Sequence, residues 1–326
     1  MSERIAILTT SYPAHEGDAA GHFVASEARS LARAGHQVTV FAPGSGSPAD
    51  AEVELVRIPD GGACGWPGLA ARLRERPLRS LGALRRAEQS RRELSRRGPF
   101  ERVICHWLLP CAFPVALGSR LRSARLEVVV HGSDARLLAS LGKPCARAIL
   151  ALLLRRNAHF RCVSSELSEL IEHCAGRPLG SRIYVLPTLL ELGHCPSRSS
   201  ARERLGVESS APLVVLVGRL VPGKRMHEAL QAASLVAGIT VVVVGDGPEA
   251  SALKRLFPTV RFVGRLARNE ALCWLAAADA VLSASRHEGA PTALREARAL
   301  GVPVVATAAG DLTHWAKNDP GLWVVP

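Results

Sequence analysis

Two runs of consecutive branched residues, Val214-Val-Leu-Val217 and Val241-Val-Val-Val244, constrain this chain more than any other feature. Neither alternates apolar with polar residues, so neither suits a strand with one wet face. Strands of this kind need helices over both sides and belong to parallel sheets. Similar short runs recur along the chain and predict strands at Arg4–Thr9, Gln37–Phe41, Val53–Ile58, Arg102–His106, Leu126–His131, Phe160–Val163 and Arg182–Leu186. A second series follows at Leu213–Val217, Thr240–Gly245, Val260–Val263, Ala280–Ser283 and Val302–Ala306. Helical periodicity fills the gaps, as at Gly21–Ala34, Ser165–His173, Arg225–Val236, Asn269–Ala278 and Thr292–Leu300. Repeated strand–helix units predict an α/β protein with doubly wound sheets, and 326 residues suit two domains. The stretch Thr188–Pro212, which contains Cys195-Pro-Ser-Arg-Ser-Ser200 and the helix-like Ala201–Leu205, reads as a linker between the two series, so the domains are expected at 1–187 and 188–326, with ligand bound in the cleft between their strands' carboxyl ends.

Composition narrows the partners. Lys and Arg total 41 against 29 acidic residues, a net charge of +12, which points to nucleic acid, an anionic membrane surface or a phosphorylated ligand. Aromatic residues at 4% and the lack of any nucleic-acid reader motif argue against the first. Residues 70–102 hold eleven arginines and four glutamates, with a partial apolar stripe at Leu73, Leu78, Leu81, Leu84 and Leu94. That pattern is expected of a basic amphipathic segment making peripheral contact with anionic lipid. The eight cysteines form no CxxC pair and several lie in apolar runs, as expected of buried free thiols in a reducing compartment. Ile5–Leu8 is too short for a signal peptide and no run spans a bilayer, so the expected location is cytoplasmic, peripheral on the inner face of the cell membrane.

Four segments carry chemistry. In Ser285-Arg-His-Glu-Gly-Ala-Pro-Thr292, a strand gives way to a helix opening at Pro291, leaving Gly289 and Ala290 where free amides and the helix dipole favour a phosphate. Glu288 stands in that loop and Glu296 in the second helical turn. Val217-Gly-Arg-Leu-Val-Pro-Gly-Lys224 places Gly218, Arg219 and Lys224 at another strand-to-helix turn, where two cations can neutralise a diphosphate. Gly17 lies in the loop after the first strand, which is not the GxGxxG of dinucleotide binders. His131-Gly-Ser-Asp134 ends another apolar strand.

The string Glu288-x7-Glu296, followed by Ala-x-Ala-x-Gly-x-Pro-Val-Val-Ala, resembles the donor segment of retaining glycosyltransferases of the GT-B fold, specifically glycosyltransferase family 4. Val244-Gly-Asp-Gly-Pro-Glu249, Val260–Arg265, Gly35-His-Gln-Val-Thr-Val40 and the His131 motif are similar to further landmarks of that family. The resemblance implies two Rossmann-like domains, an N-terminal acceptor domain and a C-terminal donor domain. It implies a nucleotide-diphosphate sugar as co-substrate, without metal or other cofactor, and a sugar or lipid-linked acceptor. Arg219, Lys224 and Glu288 would then act with His131 at the transferred sugar. Gly17, Gly218, Val263, Gly289, Ala290, Pro291, Thr292 and Glu296 would bind the donor, Val263 at the base and Glu296 at the ribose. Lys224-Arg225 replaces the usual Lys-Gly, and the donor domain reads as shortened after Leu322–Pro326. The shortening raises the alternative of a truncated or degenerate non-catalytic nucleotide-sugar-binding member; a separate alternative is a sugar-nucleotide epimerase on the same fold.

Overall fold

The computed structural model describes every residue except 1, 16, 46–49, 65–71, 73–74, 77 and 116–122. The chain forms two compact units, Met1–Leu189 and Leu190–Pro326.

The first unit is built on a seven-stranded parallel sheet in the order β3-β2-β1-β4-β5-β6-β7. Its strands are β1 (Arg4–Leu8), β2 (Gln37–Pro43), β3 (Glu54–Ile58), β4 (Arg102–His106), β5 (Arg125–Val130), β6 (His159–Cys162) and β7 (Ile183–Val185). The intervening helices include α1 (His22–Arg33), α2 (Arg79–Arg97), α3 (Ser133–Ser140), α4 (Lys143–Arg155) and α5 (Ser165–Ala175). Ile5, Ala6, Ile7 and Leu8 are all buried, as are Val128, Val129 and Val130 in β5. Both faces of these central strands are therefore covered, which is why their sequences do not alternate.

The second unit carries a six-stranded parallel sheet in the order β10-β9-β8-β11-β12-β13. Its strands are β8 (Leu213–Val217), β9 (Thr240–Val244), β10 (Arg261–Gly264), β11 (Ala280–Ser283), β12 (Val304–Thr307) and β13 (Leu322–Val325). Its helices are α6 (Arg198–Leu205), α7 (Met226–Ser234), α8 (Ala250–Leu256), α9 (Arg268–Ala277), α10 (Thr292–Ala299) and α11 (Leu312–Trp315) among the described residues. One hydrophobic cluster joins Leu213 and Val215 to α9, α10 and β12, and another packs Leu216 and Val243 on α7 and α8. Both units have the α/β organisation of the GT-B fold.

The helix-like Ala201–Leu205 inside the stretch read as a linker is part of α6, which inserts Ala201 into the second unit's core and buries Arg202. Arg202 donates to the carbonyls of Ala277, Glu208, Ser209 and Ala211 and to Asp279, so this cation serves as the hub of a turn. The apolar stripe of 70–102 divides. Leu94 is buried against the sheet, whereas Leu78, Leu81 and Leu84 point outward at 81%, 56% and 62% exposure; Leu73 lies outside the described residues. Polar Arg86 and Ser90 share Leu94's buried side, so hydropathy alone misplaces the face. All eight cysteines are free thiols, six of them buried, with Cys145 exposed and Cys195 between. Among the described residues no helix is long and apolar enough to cross a membrane.

Close backbone approach fixes the carboxyl ends of β8 and β9. Gly245 has φ +146°, and a Cβ there would meet the Gly218 carbonyl oxygen at 1.8 Å. Gly301, with φ +78°, faces open space. Gly245→Ala should therefore destabilise the protein by about 3 kcal/mol or more, and Gly301→Ala by about 1 kcal/mol. Urea unfolding of the two variants checks the difference; equal losses would contradict it.

Candidate functional site

In the second unit the sequence-derived residues converge at the carboxyl ends of β8 and β11. After β8 the chain passes Gly218 and Arg219 into a turn, Pro222–Lys224, that leads to α7. Lys224 Nζ reaches Glu288 Oε1 at 2.5 Å, linking this turn to the loop after β11. The backbone does the same, Arg286 N–H donating to the Gly223 carbonyl at 3.0 Å. Gly218 belongs to the cluster because a Cβ there would touch the Lys224 side chain near 4 Å. Arg219 keeps an open surface; crowding by protein lowers its guanidinium pKa and the nearby Glu288 carboxylate opposes that shift. Arg225 completes the turn at φ +46°, so an arginine adopts the left-handed conformation that glycine takes more easily.

Gly289 and Ala290 follow Glu288 directly, and α10 begins at Thr292 with Pro291 as its N-cap, one residue earlier than the first-helical role read from sequence. Among the described residues no side chain caps this N-terminus, so its first amides and the helix dipole are suited to an anion. The loop is braced from behind. Gly310 packs so closely that a Cβ would lie 2.6 Å from the Glu288 carbonyl oxygen, and Thr307 Oγ1 donates to the Ser285 carbonyl at 2.9 Å.

Glu296 lies one turn into α10, buried, with Arg268 Nη2 donating to it at 2.9 Å. Burial raises its carboxyl pKa, while Arg268 and Arg295 pull it down. Val263 sits near the end of β10, where the adjacent Gly264 carbonyl accepts from Gly245 N–H at 2.8 Å. Lys224, Glu288, Arg219 and Gly218 thus form one cluster with the α10 N-terminus, Gly289, Ala290, Pro291 and Thr292 included. Val263 and Glu296 stand apart on neighbouring elements.

In the first unit His131 follows β5 and lies among rings. Trp107 is centred 4.6 Å away, Phe23 5.2 Å, and His106 stacks at 5.2 Å with 20° between planes. Burial, then His106 and Arg161, hold the His131 pKa well below its ordinary value; burial and Arg161 do the same to His106. Asp134 fixes the backbone of this corner, accepting from the amides of His131, Gly132 and Leu108 at 3.1, 2.9 and 2.7 Å. Gly17 has φ +77° in the first loop, and α1, which follows that loop, brings Phe23 to the cluster. Its tight contact is at Gly21, where a Cβ would fall 2.2 Å from the Ser11 carbonyl oxygen. Sequence reasoning missed His106, Trp107 and Phe23. The available signal was His106 itself, a second histidine closing an apolar strand. Trp107 has φ +73°, a conformation costly for a bulky residue and frequent at functional sites.

Residues 20–192 match the model of Glycosyltransferase Family 4, and 211–326 that of Glycosyl transferases group 1. The chain belongs to glycosyltransferase family 4. A Bacillus subtilis (strain 168) protein that carries the name of a teichuronic acid biosynthesis glycosyltransferase, TuaC, is 29% identical over 229 residues, 69% of this chain and 57% of that protein. A GDP-mannose-dependent alpha-mannosyltransferase of Corynebacterium glutamicum is 36% identical over 118 residues, 36% of this chain and 28% of its own. The chain thus spans less than two thirds of either relative. Among solved structures, sucrose-phosphate synthase from Thermosynechococcus elongatus superposes with a TM-score of 0.79 at 18% identity, covering 99% of this chain and 86% of that one.

The two histidines carry a pH prediction. Both have folded pKa values below the ordinary 6.5, so below about pH 6.5 the unfolded chain binds more protons and stability falls with acidification. The slope is at most about 1.4 kcal/mol per pH unit for each histidine. Urea unfolding between pH 7.5 and 5.5 should show this decline, and His106→Leu should flatten it.

Proposed function

We propose that this family member is a metal-independent retaining hexosyltransferase, moving a hexosyl group from a nucleotide-diphosphate sugar to a glycan, glycolipid or small-molecule acceptor. The observation that supports this best is the Lys224–Glu288 pair beside Arg219 and the uncapped N-terminus of α10. Two cations and a set of free amides in one place suit a departing diphosphate, whose charge grows as the anomeric C–O bond breaks. In the proposed reaction the acceptor oxygen attacks the anomeric carbon on the face the diphosphate leaves. The leaving phosphate oxygen takes the acceptor's proton, so no carboxylate is needed as base. Lys224, drawn toward the diphosphate, releases Glu288 to hold sugar hydroxyls. Glu296 holds the ribose, Val263 backbone the base, and Gly17 is a further donor contact; His131 contacts the sugar.

A role at the inner face of the cell membrane is a second part of this reading, supported by α2. Its outward Leu78, Leu81 and Leu84 sit on a helix with seven arginines and two glutamates. Apolar side chains amid a cationic excess suit the interface of an anionic bilayer. Leu81→Ser with Leu84→Ser should cut flotation with phosphatidylglycerol vesicles several-fold and leave phosphatidylcholine controls unchanged; equal flotation would remove the membrane role.

Lys224→Ala tests the chemistry. Turnover on a panel of UDP-, GDP- and ADP-sugars should fall by at least about 10²-fold, with the circular dichroism spectrum unchanged. Near-normal turnover would refute the assignment. Binding without turnover in the unmodified chain would favour a non-catalytic member, and an epimerised sugar released without acceptor would favour an epimerase.

A further inference from the structure

Behind His131 lies a chain of buried polar groups that the transfer reaction, as described, does not use. His106 Nδ1 is 3.1 Å from His131 Nε2. The opposite nitrogen, His106 Nε2, is buried without a hydrogen-bond partner among the described residues, and Glu27 Oε2 faces it at 3.7 Å. Glu27 is in turn held by Arg161 Nη2 at 2.6 and 2.7 Å. Arg161 also faces Glu127, which pairs with Arg102.

Two neutral imidazoles that share a hydrogen bond place one proton between them, so the tautomer of one dictates that of the other. Were His106 to donate from Nδ1, its buried Nε2 lone pair would point at the Glu27 carboxylate, lone pair against anion. Were His106 protonated on Nε2 instead, an N–H would face that carboxylate and Nδ1 would accept from His131 Nε2–H. At 3.7 Å the preference comes from the carboxylate's field in a low-dielectric interior rather than from a hydrogen bond. Arg161 Nη2 donates to both Glu27 oxygens, the facing Oε2 included, and so weakens this field.

We propose that Glu27 and His106 are positioning residues that hold His131 in its Nε2–H tautomer, so that His131 Nδ1 is presented as a hydrogen-bond acceptor for a sugar hydroxyl. The sugar contact rests on the transferase reading above; the tautomer does not. It makes His131 a recogniser of hydroxyl donors and not a source of a proton.

Long-range ¹H–¹⁵N spectra of the full chain labelled with ¹⁵N-histidine report each ring's tautomer without substrate. His131 should be protonated at Nε2 and bare at Nδ1. His106→Asn, whose side-chain oxygen can accept near the former Nδ1, should keep that state, while His106→Leu and Glu27→Gln should shift it toward Nδ1–H. A Nδ1–H tautomer in the unmodified chain, or no shift in folded His106→Leu, overturns the proposal. With UDP-glucose or GDP-mannose, whichever is turned over, His106→Leu should lower kcat about 10-fold and His106→Asn should restore most of it. Loss of kcat that His106→Asn fails to restore would also count against it. If the unmodified chain transfers no sugar, the functional reading falls while the spectra still decide the tautomer.

Discussion

Covering both faces of two parallel sheets is the constraint on which everything else in this protein rests. A parallel strand can be followed only by a crossover, so each strand ends at the same edge of its sheet and hands the chain to a loop there. The catalytic candidates are products of that rule. Gly218 and Arg219 follow β8, Glu288 follows β11 and His131 follows β5, with His106 closing the adjacent β4. Because Val215, Leu216, Val242 and Val243 are fully packed, these loops start from rigid anchors, which suits groups that must meet a ligand's charge without rearranging.

Electrostatics is organised differently in the two units. In the first, much of the arginine excess is consumed by local pairing: Arg91 and Arg92 share Glu88, Arg96 and Arg97 share Glu93, and Arg161 and Arg102 are buried with Glu27 and Glu127. Exposed pairs of this sort add little stability, whereas the buried ones hold side chains in place near the histidines. In the second unit Arg202 and Arg268 brace turns through backbone carbonyls and single carboxylates. The ion pair suited to exchange its partner is Lys224 with Glu288, because it lies beside an uncapped helix N-terminus.

The strands were legible because full burial leaves an unmistakable run of branched residues, and predicted and observed β4, β8 and β11 coincide. The clustering at the ends of β8 and β11 was legible because those residues follow one another along two short loops. The helix at Ala201–Leu205 was legible too, but its anchoring was not, since it is held by Arg202, a cation whose acceptors lie up to 77 residues away. The outward leucines of α2 were not either, because its inward face is partly arginine and serine, and hydropathy cannot tell a buried paired arginine from a solvated one.

By itself, the sequence determined the parallel α/β organisation, the strand order of appearance and the glycine and charge pattern at the ends of β8 and β11, because these depend on neighbours along the chain. Only the tertiary structure decided which residues meet across elements. It joined Lys224 to Glu288, stacked His106 on His131 and set Glu27 behind them, since each contact spans loops or strands whose separation in sequence carries no distance information.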